Sequence, residues 1–142
     1  LRRILIKNIM DESIKKAQEL IKKEGDFIDK IGEFIQIRTW FYDKYSLQFF
    51  FDAIESDQEL RQYLDDFNAA NKRLVMEFIH EGKHSGFFSP DASDAAIEIC
   101  IDMFQTYLVH NKEIRDIFER NPQLAHEVNM LFLDGLIRQK KQ

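Results

Sequence analysis

The spacing of the apolar residues constrains this chain more than any other feature. From Leu1 to about Lys23 they recur every three or four residues against a face of lysines and acids, which is the pattern of an amphipathic α-helix. The same spacing continues along the chain, and only 5 glycines and 2 prolines interrupt its 142 residues. We find no strand-like alternation, internal repeat or low-complexity linker. The sequence therefore predicts one all-α domain over residues 1–142, a bundle of about six to seven helices.

Capping and turn residues predict where the longest helix begins and ends. Ser56 and Glu59 have the spacing of a capping box, in which each side chain accepts a hydrogen bond from the other residue's backbone amide. The helix that follows should run to about His80, with Gly82 and Gly86 as stop signals. Further along, Pro90-Asp91 and Asn121-Pro122 are predicted to open two more long helices.

Composition excludes several functional classes. The 20 basic residues are outnumbered by 25 acids, so the chain itself lacks the basic excess that binding to a phosphate backbone requires. No apolar run approaches the ~20 residues of a membrane span. The single cysteine, Cys100, stands between two isoleucines and is predicted to be a buried thiol in a reducing cytoplasm. The chain begins at Leu1 with a segment that is already helical in pattern, so we expect a preceding segment to be missing.

The stretch His80-Glu81-Gly82-Lys83-His84 matches the H-E-x-x-H pattern of zinc peptidases. In such enzymes two imidazoles lie on one uninterrupted helix, and the carboxylate acts as general base. Here a glycine separates the histidines, and the third ligand is open between Glu98, Asp102, His110 and His126. We expect no metal site and no enzymatic activity. A zinc-dependent hydrolase using His80, Glu81 and His84 is kept as an alternative function.

The fifth helix and the last helix carry too much apolar surface for a monomer. Around each of them apolar residues cover roughly two thirds of the circumference, whereas a surface helix needs one apolar side. We predict that both helices lie in a homodimer interface, the alternative being that they are central helices of a monomer core. The predicted interface residues are Ile97, Ile101, Phe104, Leu108, Val128, Leu131, Phe132 and Gly135.

Two stretches together resemble the C-terminal regulatory domain of TetR-type transcriptional repressors. The first, FIHEGKHSGFFSPDASDAAIEICIDMFQTYL, is similar to that family's E-G-x-x-x-G-x-F pattern, in which acids and small residues then open the next helix. The second, EVNMLFLDGLIRQ, is similar to the family's apolar final helix with its Gly-Leu pair. The residues that carry the first similarity are Glu81, Gly82, Gly86, Phe87 or Phe88, Asp91, Asp94 and Ala96.

The resemblance implies an effector-sensing and dimerising domain without a cofactor. DNA would be bound only by an N-terminal helix-turn-helix domain that this chain lacks, and a small apolar or aromatic effector would occupy a cavity between the central helices. The predicted cavity residues are Phe34, Arg38, Phe41, Phe50, Phe67, Leu74, Phe78, Ile99, Met103 and Tyr107. Aromatic residues at this spacing are also typical of a solid core. Arg38 either pairs with an anionic ligand or with an acid such as Asp66. An all-α module that binds a partner helix is the remaining alternative.

Overall fold

The protein is an all-α bundle, as predicted. The computed structural model describes residues 1–137, and the last five residues of the predicted domain lie outside the described part. Within residues 1–137 there are seven helices and no strand. No helix in this range is long and apolar enough to cross a membrane. The helices are α1 (Arg2–Lys22), α2 (Phe27–Lys44), α3 (Leu47–Glu55), α4 (Gln58–His84), α5 (Asp94–His110), α6 (Lys112–Arg120) and α7 (Pro122–Asp134).

The N-terminus of α4 is capped one residue later than the sequence predicted. Asp57, and not Ser56, is the N-cap, because its carboxylate accepts from the amides of Glu59 and Leu60. The Ser56 hydroxyl instead donates to the carbonyl of Ala53 at 3.1 Å, so it belongs to the end of α3. An aspartate is as good an N-cap as a serine, and the competing local bond decides which residue is used.

The connection between α4 and α5 lies about four residues later than predicted. Helix α5 begins at Asp94, where the Ser93 hydroxyl accepts from the amide of Ala96, and not at Pro90-Asp91. The intervening segment is held by the residues that follow α7: the amide of Ser89 donates to the carbonyl of Leu136 at 2.7 Å. Ser93 supplies the side-chain N-cap, and such a cap marks the residue at which a helix begins.

Gly82 lies inside α4 and does not end it. The helix continues to His84, and Gly86, with φ +83°, makes the turn that follows. A Cβ built on Gly82 would overlap Cδ2 of Phe88 and would lie 2.8 Å from Cζ of Phe27. Gly82 is therefore required by the close approach of two buried rings, and only Gly86 is a stop signal as predicted.

Two hydrophobic cores fill the bundle. The first, which we call the α4 core, surrounds the C-terminal half of α4, and there the rings of Phe34 and Phe78 stack with centroids 4.2 Å apart. The second, the α3 core, surrounds α3 and joins it to α1, α6 and α7. In α3 itself Phe50 and Phe51 are buried and Phe49 is exposed, because three adjacent residues of a helix cannot all face one way.

Candidate functional site

A cavity of about 160 Å³ lies where the two cores meet. Its walls come from α1 to α5, and most of the side chains that line it are aliphatic or aromatic. Ile9 and Met10 of the α3 core stand on one side and Val75 of the α4 core on another. Six of the ten predicted cavity residues line it, namely Phe34, Arg38, Phe41, Phe50, Phe67 and Leu74.

The other four predicted cavity residues lie elsewhere. Phe78 is fully buried in the α4 core, behind Phe34, and does not reach the cavity. Ile99, Met103 and Tyr107 are 58%, 65% and 55% exposed, so they point away from the interior.

The side of α5 that faces inward is the one that we assigned to the dimer interface. Ile97 and Ile101 are buried in the α4 core, and Leu108 lines the cavity. Both sides of this helix are apolar, and helical spacing gives the angle between them but not which side packs inward. Three residues assigned to the interface therefore face inward, and the three α5 residues assigned to the cavity face outward.

The remaining predicted interface residues divide between interior and surface. Val128 packs against the α3 core and Phe132 against the α4 core, each half-buried, while Gly135 is exposed. Phe104 and Leu131 are 41% and 65% exposed. The rings of Phe104 and Phe132 meet edge to face with centroids 5.9 Å apart, which joins α5 to α7 at the surface.

An exposed apolar surface therefore runs along α5 and onto α7. We call it the outer face, and it comprises Ile99, Met103, Phe104, Tyr107 and Leu131. Cys100, predicted to be buried, is exposed beside these residues because the inward direction of α5 is opposite to the one expected. Several exposed apolar side chains on neighbouring helices are typical of an interaction surface.

Arg38 is the one cavity residue whose partners the sequence left open. Its Nε donates to Oδ1 of Asn129 at 2.8 Å, and its Cζ lies 5.7 Å from the ring centroid of Phe34. Within residues 1–137 no carboxylate oxygen lies within 4.0 Å of its guanidinium. Asp66, the acid considered from the sequence, accepts instead from Gln62. Burial lowers the pKa of Arg38 from its ordinary value, and the neighbouring Tyr42 partly opposes this.

Several polar side chains in the cavity wall were missed by the sequence reasoning. Asn68 and Asn71 lie on the inward side of α4, three residues apart, and Gln105 of α5 donates to the backbone carbonyl of Asn68 at 3.1 Å. Ser13 of α1 and Tyr42 of α2 complete the set. The two asparagines could have been noticed, since they share a helical face with the predicted cavity residues Phe67 and Leu74.

The H-E-x-x-H segment has other partners. Glu81 accepts from the buried ammonium of Lys30 at 2.7 and 2.9 Å, so its carboxylate is held in an ion pair. The Nε2 of His80 lies 2.8 Å from the carboxylate of Asp94. The pKa of Asp94 is lowered first by this contact and then by Lys83. In the described part of the chain no three His, Cys, Asp or Glu side chains are grouped so that they could hold a metal ion.

No protein-family model, curated protein or solved structure matches this chain.

Proposed function

We propose that this chain is the effector-sensing and dimerising domain of a TetR-type transcriptional regulator. The observation that carries the proposal is the cavity at the junction of the two cores, bordered by five helices and lined mainly by apolar side chains. A concave, mostly apolar site with a few polar groups is the usual form of a small-molecule site. The similarity of the α4–α5 segment and of α7 to the TetR pattern supplies the biological context.

The size of the cavity limits the effector. An apolar cavity of about 150 Å³ is large enough for benzene, whereas drug-sized ligands occupy sites of roughly 300 Å³ or more. At about 160 Å³ this cavity accepts a molecule built on a single ring without movement of the helices. A larger effector would have to displace at least one wall.

Helix α1 is the wall through which an effector would act. Its middle, at Ile9, Met10 and Ser13, borders the cavity, while its first turn is attached to the start of α4 by Arg3, whose Nε donates to Asp57 at 2.9 Å. A ligand that presses on the middle of α1 would tilt the helix about its attached first turn, which changes the direction of the helix axis at that end. In the proposed regulator α1 leads to the DNA-binding domain, so the change alters the fit of two such domains to half-sites one helical turn apart.

The outer face is the proposed dimer interface. Packing α5 and α7 against the same helices of a second copy, as a four-helix bundle related by a twofold axis, would cover the side chains that one chain leaves exposed. This interface uses Phe104 and Leu131, as predicted from the sequence, together with Ile99, Met103 and Tyr107, which the sequence reasoning had assigned to the cavity.

Sedimentation equilibrium tests this proposal. We expect a dimer at micromolar concentration, and a dimer at least tenfold weaker after Phe104→Arg or Leu131→Arg, because each places a charge in a desolvated interface. Ile28→Arg is the matched control, since Ile28 is an apolar residue of α2 whose exposure, 55%, lies between those of Phe104 and Leu131. A wild-type monomer, or a dimer that both outer-face variants leave unchanged, contradicts the proposal. A monomer would favour the all-α interaction module instead.

A further inference from the structure

Among residues 1–137, Arg38 is the only charged residue that lines the cavity. The rest of the described lining is apolar or carries uncharged amide and hydroxyl groups, and it includes no aspartate or glutamate. The cavity therefore has a formal charge of +1 with no counter-charge in its described walls. A neutral ligand would leave this cation unpaired in a site from which the ligand has expelled water, which is unfavourable.

The hydrogen bond to Asn129 leaves one edge of the Arg38 guanidinium open. Asn129 accepts from Nε and in turn donates through Nδ2 to the carbonyl of Ala125 at 2.8 Å, so its own orientation is fixed. Neither Nη nitrogen of Arg38 has a hydrogen-bond acceptor among residues 1–137. The Nη1–Nη2 edge of a guanidinium binds a carboxylate through two parallel hydrogen bonds.

Aromatic side chains line the same cavity as Arg38. Phe34 lies beneath the guanidinium at 5.7 Å, and the rings of Phe41 and Phe50, 4.8 Å apart and edge to face, line the cavity as well. Such walls favour a flat aromatic body in contact with a ring edge or face. The volume of about 160 Å³ leaves room for one ring and a small substituent.

We propose, resting on the effector-sensing function above, that the cavity binds a small aromatic monocarboxylate of about the size of benzoate. Its carboxylate accepts from the two Nη nitrogens of Arg38, and its ring packs between the phenylalanines of α2 and α3. Asn129 of α7 positions the guanidinium of Arg38. This hydrogen bond connects the ligand site to α7, one of the two helices of the proposed dimer interface.

Calorimetric titration with benzoate and nitrobenzene tests the proposal, because the two probes have nearly the same shape and differ in charge. We expect the wild-type protein to bind benzoate at least tenfold more tightly than nitrobenzene. Arg38→Met should weaken benzoate binding at least tenfold and change nitrobenzene binding less than threefold. Arg38→Lys, which keeps the charge but loses the two-bond geometry, should retain part of the preference. Arg73→Met, at an exposed arginine of α4, is the matched control and should leave both affinities unchanged.

The outcomes separate this inference from the function on which it rests. Equal affinity for the two probes, or a benzoate preference that survives Arg38→Met, overturns the proposal of an anionic ligand. The proposal that the cavity binds a neutral aromatic ring would still hold in that case. Binding of neither probe by the wild-type protein also overturns it. The dimer measurement is independent of both probes, so a failure there identifies the proposed function as the part that is wrong.

Discussion

Gly82→Ala should destabilise the protein although it removes a glycine from the interior of a helix. Replacing such a glycine by alanine normally stabilises a helix by about 1 kcal/mol. Here the added methyl group would overlap Cδ2 of Phe88, and it would lie 2.6 Å from Cε2 of the same ring and 2.8 Å from Cζ of Phe27. Overpacking of a core costs about 1–3 kcal/mol, and the upper end applies because both rings are buried. The amide of Phe88 also donates to the carbonyl of Gly82 at 2.9 Å, which prevents the loop from sliding away.

The net effect is a loss of about 2 kcal/mol, or a decrease in Tm of roughly 6 °C for a domain of this size. Urea unfolding followed by circular dichroism measures it. Gly32→Ala is the control, since Gly32 is an exposed residue inside α2 with nothing within 4 Å of the place where a Cβ would lie, and it should stabilise by about 0.5–1 kcal/mol. In a Phe88→Ala background the cost of Gly82→Ala should shrink. If Gly82→Ala stabilises as much as Gly32→Ala, the close packing of Phe88 on α4 is refuted.

Two ion pairs give further predictions. Glu81→Gln should lower the free energy of unfolding by about 1–2 kcal/mol. The buried ammonium of Lys30 would then keep as acceptors only the carbonyl of Ile21, at 3.2 Å, and the neutral amide of the new side chain. An unchanged denaturation midpoint would argue against this ion pair. The pKa of Asp57 is lowered chiefly by the hydrogen bond from Arg3. The ionised Asp57 carboxylate therefore contributes its full stabilisation when the pH is above the ordinary aspartate pKa of about 3.9, and this stabilisation is lost as the pH falls through the lowered pKa. Asp57→Asn keeps a good N-cap, and its stability should approach that of the wild type as the pH falls from about 5 to about 2. A difference that stays constant over this range would show that the charge is not the cause.

Local features of the fold could be predicted from the sequence because they depend on neighbouring residues. The number of helices follows from apolar spacing and from the scarcity of glycine and proline, and Asn121-Pro122 marks the start of the last helix. Six of the ten cavity residues were also identified, since α2, α3 and α4 each have one dominant apolar side that must face inward.

The identity of the inward side of α5 was decided only by the tertiary structure. Ile97 and Ile101 lie on one apolar side and Met103 and Tyr107 on another, and a period of 3.6 residues fixes the angle between the sides without saying which one contacts α4. The exposure of Cys100 follows from the same rotation. The role of Gly82 likewise depends on the ring of Phe88, which packs against it from the loop after α4. The sequence by itself determined which segments are helical and which helix surfaces are apolar. The tertiary structure decided which of those surfaces are covered. Burial depends on how neighbouring helices pack together, and the order of residues within a single helix does not specify that packing.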